Sequence, residues 1–156
     1  MRGNETVIKE LNSGLSDELT AIVQYMVQSE MLGNWGYNRL SAIIKKRAIE
    51  EMMHAEHLIE RIIFLDGMPQ VNVPLKPQPG TGVMSQFEID LKDELDAIAK
   101  YNNASRVCRE LGDNGTKDLF EKLLHDEEVH ADFLETQLST IEAISIANYL
   151  AEQMKD

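Results

Sequence analysis

Cysteine is nearly absent: Cys108 is the only one in 156 residues. A single thiol cannot form an internal disulfide framework, nor build a cysteine-rich zinc or iron–sulfur site. The ordinary place for it is a buried or half-buried position on a helix. Basic residues are scarce beside acidic ones, 15 against 27, which leaves a net charge of −12. That balance argues against nucleic acid as a partner, because phosphate binding needs basic patches. It is compatible with attracting cations. No apolar run is long enough to cross a membrane, and Met1 to Thr6 lacks the apolar core of a signal peptide. No membrane partner is expected, and a reducing, cytoplasmic setting is the default. Proline is missing outside Pro69 to Pro79, and no stretch shows a strand pattern. With 43% hydrophobic and 27% charged residues, the chain reads as one globular domain over 1–156 with a real core.

What is present is helical periodicity. From Glu5 to Leu32 apolar residues, among them Ile8, Leu11, Leu15, Leu19, Ile22 and Met26, recur at helical spacing. Glu18 interrupts the stripe they define, and Tyr25 falls on nearly the same face. After Gly33-Asn34-Trp35-Gly36, a second helix is expected from about Tyr37 to Leu65, antiparallel to the first because the break is short. Its inner stripe is Leu40, Ile44, Arg47, Glu51, His54, Leu58, Ile62 and Leu65. Asp66 to Gly82 holds all four prolines and is long enough to cross a whole bundle, which permits parallel second and third helices. The third helix is expected from about Met84 to Leu111, with Ser85 as N-cap and Glu88 completing a capping box. Gly112 suits a left-handed cap. The fourth is expected from near Thr116 to about Ser139, and a short fifth from about Ile141 to Gln153. The fold class is therefore all-α, a four-helix bundle with a long crossover between helices two and three and a short fifth helix.

Glu51 and His54 stand three apart on the second helix, and Glu127 and His130 repeat them 76 residues later. The same offset relates Asp17-Glu18-Leu19 to Asp93-Glu94-Leu95. The chain thus carries two copies of one helix pair, each with a lone Glu and then Glu-x-x-His. All six residues lie mid-helix, so a bundle brings them to one depth. Buried carboxylates are costly unless paired or bound to a cation. Two divalent metals balance four carboxylates and leave both imidazoles neutral. The donors, with no thiolate, suit iron or manganese. His57 and His125 have no mate at this offset and read as solvated or outer residues. Glu50 and Asp126 do repeat, about 100° from the ligand face, as outer partners or solvated charges. Tyr25 and Tyr101 repeat and face inward, either as core aromatics or as hydrogen-bond donors to the metal carboxylates. Met52 and Met53 lie on opposite flanks of helix two, and helical rotation does not choose between them.

Asn34-Trp35-Gly36, Glu50-Glu51-Met52-Met53-His54-Ala55-Glu56, Phe64-Leu65-Asp66-Gly67-Met68-Pro69, Asp126-Glu127-Glu128 with His130, and Asn148-Tyr149-Leu150 are similar to stretches of bacterioferritin. The resemblance runs over nearly the whole chain and implies a ferritin-like fold. It further implies that Glu18, Glu51 and His54 hold one iron, that Glu94, Glu127 and His130 hold the other, and that Glu51 and Glu127 bridge them. The implied activity is ferroxidation, Fe(II) to Fe(III), by dioxygen or hydrogen peroxide. The ferric mineral would be stored in a 24-subunit cage built from two-fold dimers, with a ferredoxin-type protein as candidate reductant. It implies Met52 as axial ligand of a b-type haem shared between two subunits. An inner-surface iron station of some members, built on His and Asp, corresponds here to Lys46 and Glu50 beside Arg47, and two cations argue against iron there. Asp66 and Asp132 match acidic channel positions. A non-haem ferritin is the nearest alternative. A rubrerythrin-type peroxidase would need a cysteine-rich module, and a metal-free helical oligomer would leave Glu18 and Glu94 buried without partners.

Overall fold

Each apolar stripe becomes the inner face of one helix in the computed structural model, which describes residues 1–156. The helices are α1 (Glu5–Asn34), α2 (Asn38–Phe64), α3 (Val83–Glu110), α4 (Asn114–Ile144) and α5 (Ile146–Gln153). There is no strand. Side-chain pairings fix the directions. Ser29 and Ser41 bond across the first hairpin, while Gly3 N–H donates to the Leu65 carbonyl at its other end, so α1 and α2 are antiparallel. Tyr25 meets Glu94 and Tyr101 meets Glu18, which sets α3 antiparallel to α1. The second and third helices are therefore parallel, as the long linker allows. That linker lies along α1. The Asn12 side chain holds it at Met68 and Gln70, and the Gln24 carbonyl oxygen accepts from Gln78 N–H.

The core has two apolar halves with a polar waist between them. One half gathers Leu11, Leu15, Leu58, Cys108, Phe120 and Leu123; the other gathers Leu32, Leu40, Ile44, Phe87, Leu134 and Tyr149. Burying each large side chain stabilises by about 1.5–3 kcal/mol, and these two halves offset the cost of the buried charges between them. Cys108 is buried, as its position suggested.

Several boundaries differ from the sequence reading. The N-cap of α3 is Gly82, not Ser85. The Ser85 hydroxyl sits in the first turn, reaches back to accept from the backbone N–H of Thr81 and Gly82, and so makes half of a capping box without being the cap. The fourth helix continues to Ile144 because Ile141 is buried against the second apolar half. The chain turns only at Ser145, where φ is 75° and the hydroxyl caps Asn148 N–H, so α5 starts at Ile146. Met26, assigned to the apolar set of α1, is exposed. Gly112 does take the left-handed conformation, with φ 76°, and Asp113 caps α4 by accepting from Thr116 N–H.

Candidate metal centre

All six repeated residues are buried at the waist. They form two overlapping sets, Glu18, Glu51, His54 and Glu127 on one side and Glu51, Glu94, Glu127 and His130 on the other. Within each set the ligand atoms lie within 4.8 Å of one another, and Glu51 and Glu127 belong to both. Nδ1 of His54 is 2.9 Å from Glu51 Oε2, 3.2 Å from Glu127 Oε1 and 3.5 Å from Glu18 Oε1. Nδ1 of His130 is 3.1 Å from Glu51 Oε1, 3.2 Å from Glu127 Oε2 and 3.6 Å from Glu94 Oε1. The 76-residue repeat is thus a two-fold arrangement in space. Both rings turn Nδ1 toward the carboxylates, with their planes only 19° apart.

An outer ring of partners holds this geometry. Nε2 of His54 lies 3.0 Å from Asp126 Oδ2, and Nε2 of His130 lies 3.0 Å from Glu50 Oε2. Each carboxylate accepts a hydrogen bond from Nε2–H, which leaves Nδ1 to face the metal position. The tyrosine hydroxyls donate across the two-fold, Tyr25 to Glu94 and Tyr101 to Glu18. Gly14 allows the second of these, since a Cβ there would stand 3.1 Å from the Tyr101 ring. Glu50, Asp126, Tyr25 and Tyr101 therefore serve the ligands directly, whereas His57 and His125 are exposed.

The electrostatics describe a site built for cations. Burial, reinforced by the neighbouring carboxylates, raises the pKa of Glu18 and Glu94. Burial also opposes ionisation of Glu51 and Glu127, but hydrogen bonds outweigh it, and both pKa values fall. Burial disfavours charged imidazoles, yet the surrounding carboxylates outweigh it and raise both His54 and His130. Without metal, protons are therefore favoured on Glu18, Glu94 and the two imidazoles over Glu51 and Glu127. Glu51 Oε2 is buried with no aligned donor, as expected of an oxygen whose partner is a metal ion. A cleft of about 820 Å³ leads to the cluster between α1 and α3, past Asp17, Asp93 and Asp96. Lys100 pairs with Asp17 at its wall, and Lys92 pairs with Asp96.

Residues 8–144 match the family model for the ferritin-like domain. A bacterioferritin of Brucella melitensis biotype 1 is 44% identical over 149 residues, which is 96% of this chain and 92% of that one. A bacterioferritin of Mycolicibacterium paratuberculosis is 38% identical over 152 residues, 97% and 96% of the two chains. One from Rhodobacter capsulatus is 42% identical over 139 residues, 89% and 86%. The chain belongs to the bacterioferritin family. Iron storage is the function that membership assigns, and the buried carboxylate–histidine cluster is compatible with a di-iron site.

Within this bacterioferritin fold the remaining candidates are placed as follows. Met52 and Met53 are 45% and 51% exposed on the outside of α2, so exposure does not separate them. Lys46 is exposed, while Arg47 is buried and paired with Glu50. Asp66 takes a left-handed φ of 57° after α2 and pairs with the N-terminal ammonium group; Asp132 is exposed.

One buried group escaped the sequence reading. Asp90, one turn before Glu94, is fully buried. Its Oδ1 accepts from the Gln28 and Gln24 amides at 2.8 and 2.9 Å. Asp90 Oδ2 and Gln28 Oε1 have no partner. Those two oxygens are the pair that a protonated Asp90 would join, closing a cyclic acid–amide pair with Gln28. Consistently, burial raises Asp90 to about 7 despite the two amide donors. The sequence signal was available, since Asp90 is on the inner arc of α3. The 76-residue test passed over it because its mate is Gly14.

Proposed function

We propose that this chain is the subunit of an iron-storing cage and a ferroxidase, with Fe(II) as its substrate at the waist of the bundle. The observation that carries this reading is the pair of buried ligand sets sharing Glu51 and Glu127. Glu18 and His54 complete one position, and Glu94 and His130 the other. Two adjacent Fe(II) ions supply the two electrons that reduce hydrogen peroxide with two protons to two waters, or dioxygen with two protons to hydrogen peroxide. The protein binds both ions side by side, aims Nδ1 of each histidine inward, and steadies Glu18 and Glu94 with the tyrosine hydroxyls. The cleft that reaches the cluster past Asp17, Asp93 and Asp96, with Lys76, Lys92 and Lys100 also on its wall, is the entry route in this proposal. Cytoplasmic location, two-fold dimers assembling into a 24-subunit cage and a ferredoxin-type reductant belong to the same proposal, on the strength of the family.

Loading exchanges protons for metal. Since burial and the clustered carboxylates favour protons on Glu18, Glu94, His54 and His130 in the empty site, anaerobic addition of two Fe(II) per chain is expected to release protons. Affinity therefore falls as pH is lowered. Readmitting oxygen should then oxidise about two irons per chain far faster than iron in buffer. A pH-stat trace without proton release, or oxidation at the rate of the buffer control, would sink the proposal.

Haem belongs to the same proposal on the strength of the family. The Met52 and Met53 thioethers are both exposed on α2, a soft thioether suits an axial position on haem iron, and only the family motif selects Met52. Bound there between two copies, haem would supply a one-electron redox centre. The Met52→Leu variant is expected to lose the Soret band while keeping rapid Fe(II) oxidation; retention of stoichiometric haem would remove Met52 from the role.

A further inference from the structure

The two halves of the metal centre repeat ligand for ligand, but they are not equal in charge. At the 76-residue offset Glu50 maps onto Asp126 and His54 onto His130, while Arg47 maps onto Leu123. The Arg47 side chain is only 9% exposed, and its Nε lies 3.3 Å from Glu50 Oε2, an ion pair without an aligned hydrogen bond. The same oxygen faces Nε2 of His130 at 3.0 Å. The guanidinium rests over Phe133, 5.4 Å from the ring centroid, and the mate of Phe133 is the exposed His57. Arg47 therefore occupies a built position that one half has and the other lacks. Opposite it, Asp126 Oδ2 faces Nε2 of His54 at 3.0 Å, and Asp126 pairs with no lysine or arginine.

We propose that Arg47 makes the two metal positions unequal, weakening the one at Glu94, Glu127 and His130 so that it fills second and empties first. This rests on the dinuclear reading above. Two effects act in the same direction. Glu50 shares its charge with a guanidinium, so it polarises His130 less than Asp126 polarises His54, and Nδ1 of His130 is the poorer donor. A buried cation on the other side of Glu50 from His130 also raises the energy of a dication bound at that position. The opposing effect is preorganisation, since Arg47 steadies Glu50 and through it the ring. Geometry decides between them. His54 keeps the same 3.0 Å contact and nearly the same ring plane without any arginine, so orientation does not need Arg47 and the charge effect remains. Arg47 touches no metal ligand in this account; it is a positioning residue that acts through Glu50. An unequal pair suits a centre that must hold two ions for a two-electron step and then pass product on from one side.

The test is anaerobic calorimetric titration of the assembled, metal-free protein with Zn(II), which reads affinity without turnover. Wild type is expected to bind one Zn(II) per chain tightly and a second about tenfold or more weakly. His130→Ala should delete the weaker step and His54→Ala the tighter one. Arg47→Leu, which installs the residue of the other half, should strengthen the weaker step by about tenfold and close the gap, while Arg47→Lys keeps it. A second comparison leaves Arg47 in place: Asp126→Asn should lose more affinity at its position than Glu50→Gln does at the other. Equal steps in wild type, an unchanged gap in Arg47→Leu, or equal losses in the second comparison overturn the asymmetry and leave the dinuclear centre standing. No Zn(II) binding by wild type overturns both.

Discussion

Replacement of Glu127 by alanine is expected to abolish rapid Fe(II) oxidation and to remove both metal positions together. Glu127 offers one oxygen to each side, Oε1 toward His54 and Oε2 toward His130, and it belongs to both ligand sets. Glu18 and Glu94 belong to one set each. Loss of a bridging carboxylate should cost each position more than the 10–100-fold typical of an outer partner, so oxidation should drop on the order of 100-fold or more. The Glu18→Ala and Glu94→Ala variants should each keep one position. A count of bound Co(II) or Zn(II) separates the cases, near zero for Glu127→Ala and near one for the other two. Stopped-flow oxidation then checks activity on the same samples. If Glu127→Ala retained two metals and wild-type oxidation, the bridging role would be wrong.

The second large effect is a gain. Asp90→Asn is expected to stabilise the metal-free protein at about pH 8 by about 2–4 kcal/mol. In the folded chain burial holds the Asp90 proton up to about pH 7, whereas an ordinary aspartate loses it near 3.8. Between those values the native state binds more protons than the unfolded state, so stability falls as pH rises through that window, and the full cost is present above it. Asparagine removes the ionisation and completes the pairing. Its amide N–H donates to Gln28 Oε1 while its oxygen keeps the Gln28 and Gln24 bonds, so both unpartnered oxygens are accounted for. Denaturation as a function of pH at constant assembly state is the measurement. The gain should shrink toward zero near pH 4. A variant less stable than wild type at pH 8, or a gain independent of pH, would show that Asp90 is not a buried acid paired with Gln28.

The pattern of what the sequence disclosed follows from symmetry. Glu18, Glu51, His54 and their mates are each weak signals, because a helix often carries a Glu-x-x-His. Repetition at one offset on inward stripes made them a single constellation, and the fold places all six within one cluster. The same test picked out Glu50, Asp126, Tyr25 and Tyr101 as paired, but only side-chain geometry shows that each bonds a ligand of the opposite half. A residue without a mate is invisible to that test. Arg47, Asp90, Gln24 and Gln28 are of this kind, since the residues at the offset are Leu123, Gly14, Lys100 and Ala104. Helix ends were less legible for a different reason. Ser85 has the composition of a cap, but its hydroxyl serves as well from the first turn. Nothing local in the sequence separates α4 from α5, since the corner is a single left-handed serine where glycine would be usual.

The division of ligands between the hairpins bears on how the chain is made. The α1–α2 hairpin carries Glu18, Glu51 and His54, and the α3–α4 hairpin carries Glu94, Glu127 and His130, yet each ligand set takes at least one oxygen from the other hairpin. During translation the first hairpin leaves the ribosome well before Glu127 is synthesised. At that stage it presents a half-formed chelate, lacking its bridging carboxylate. No complete pocket for Fe(II) exists until α4 has docked across the crossover. The complete ligand cluster is thereby a property of the folded subunit and of neither hairpin alone.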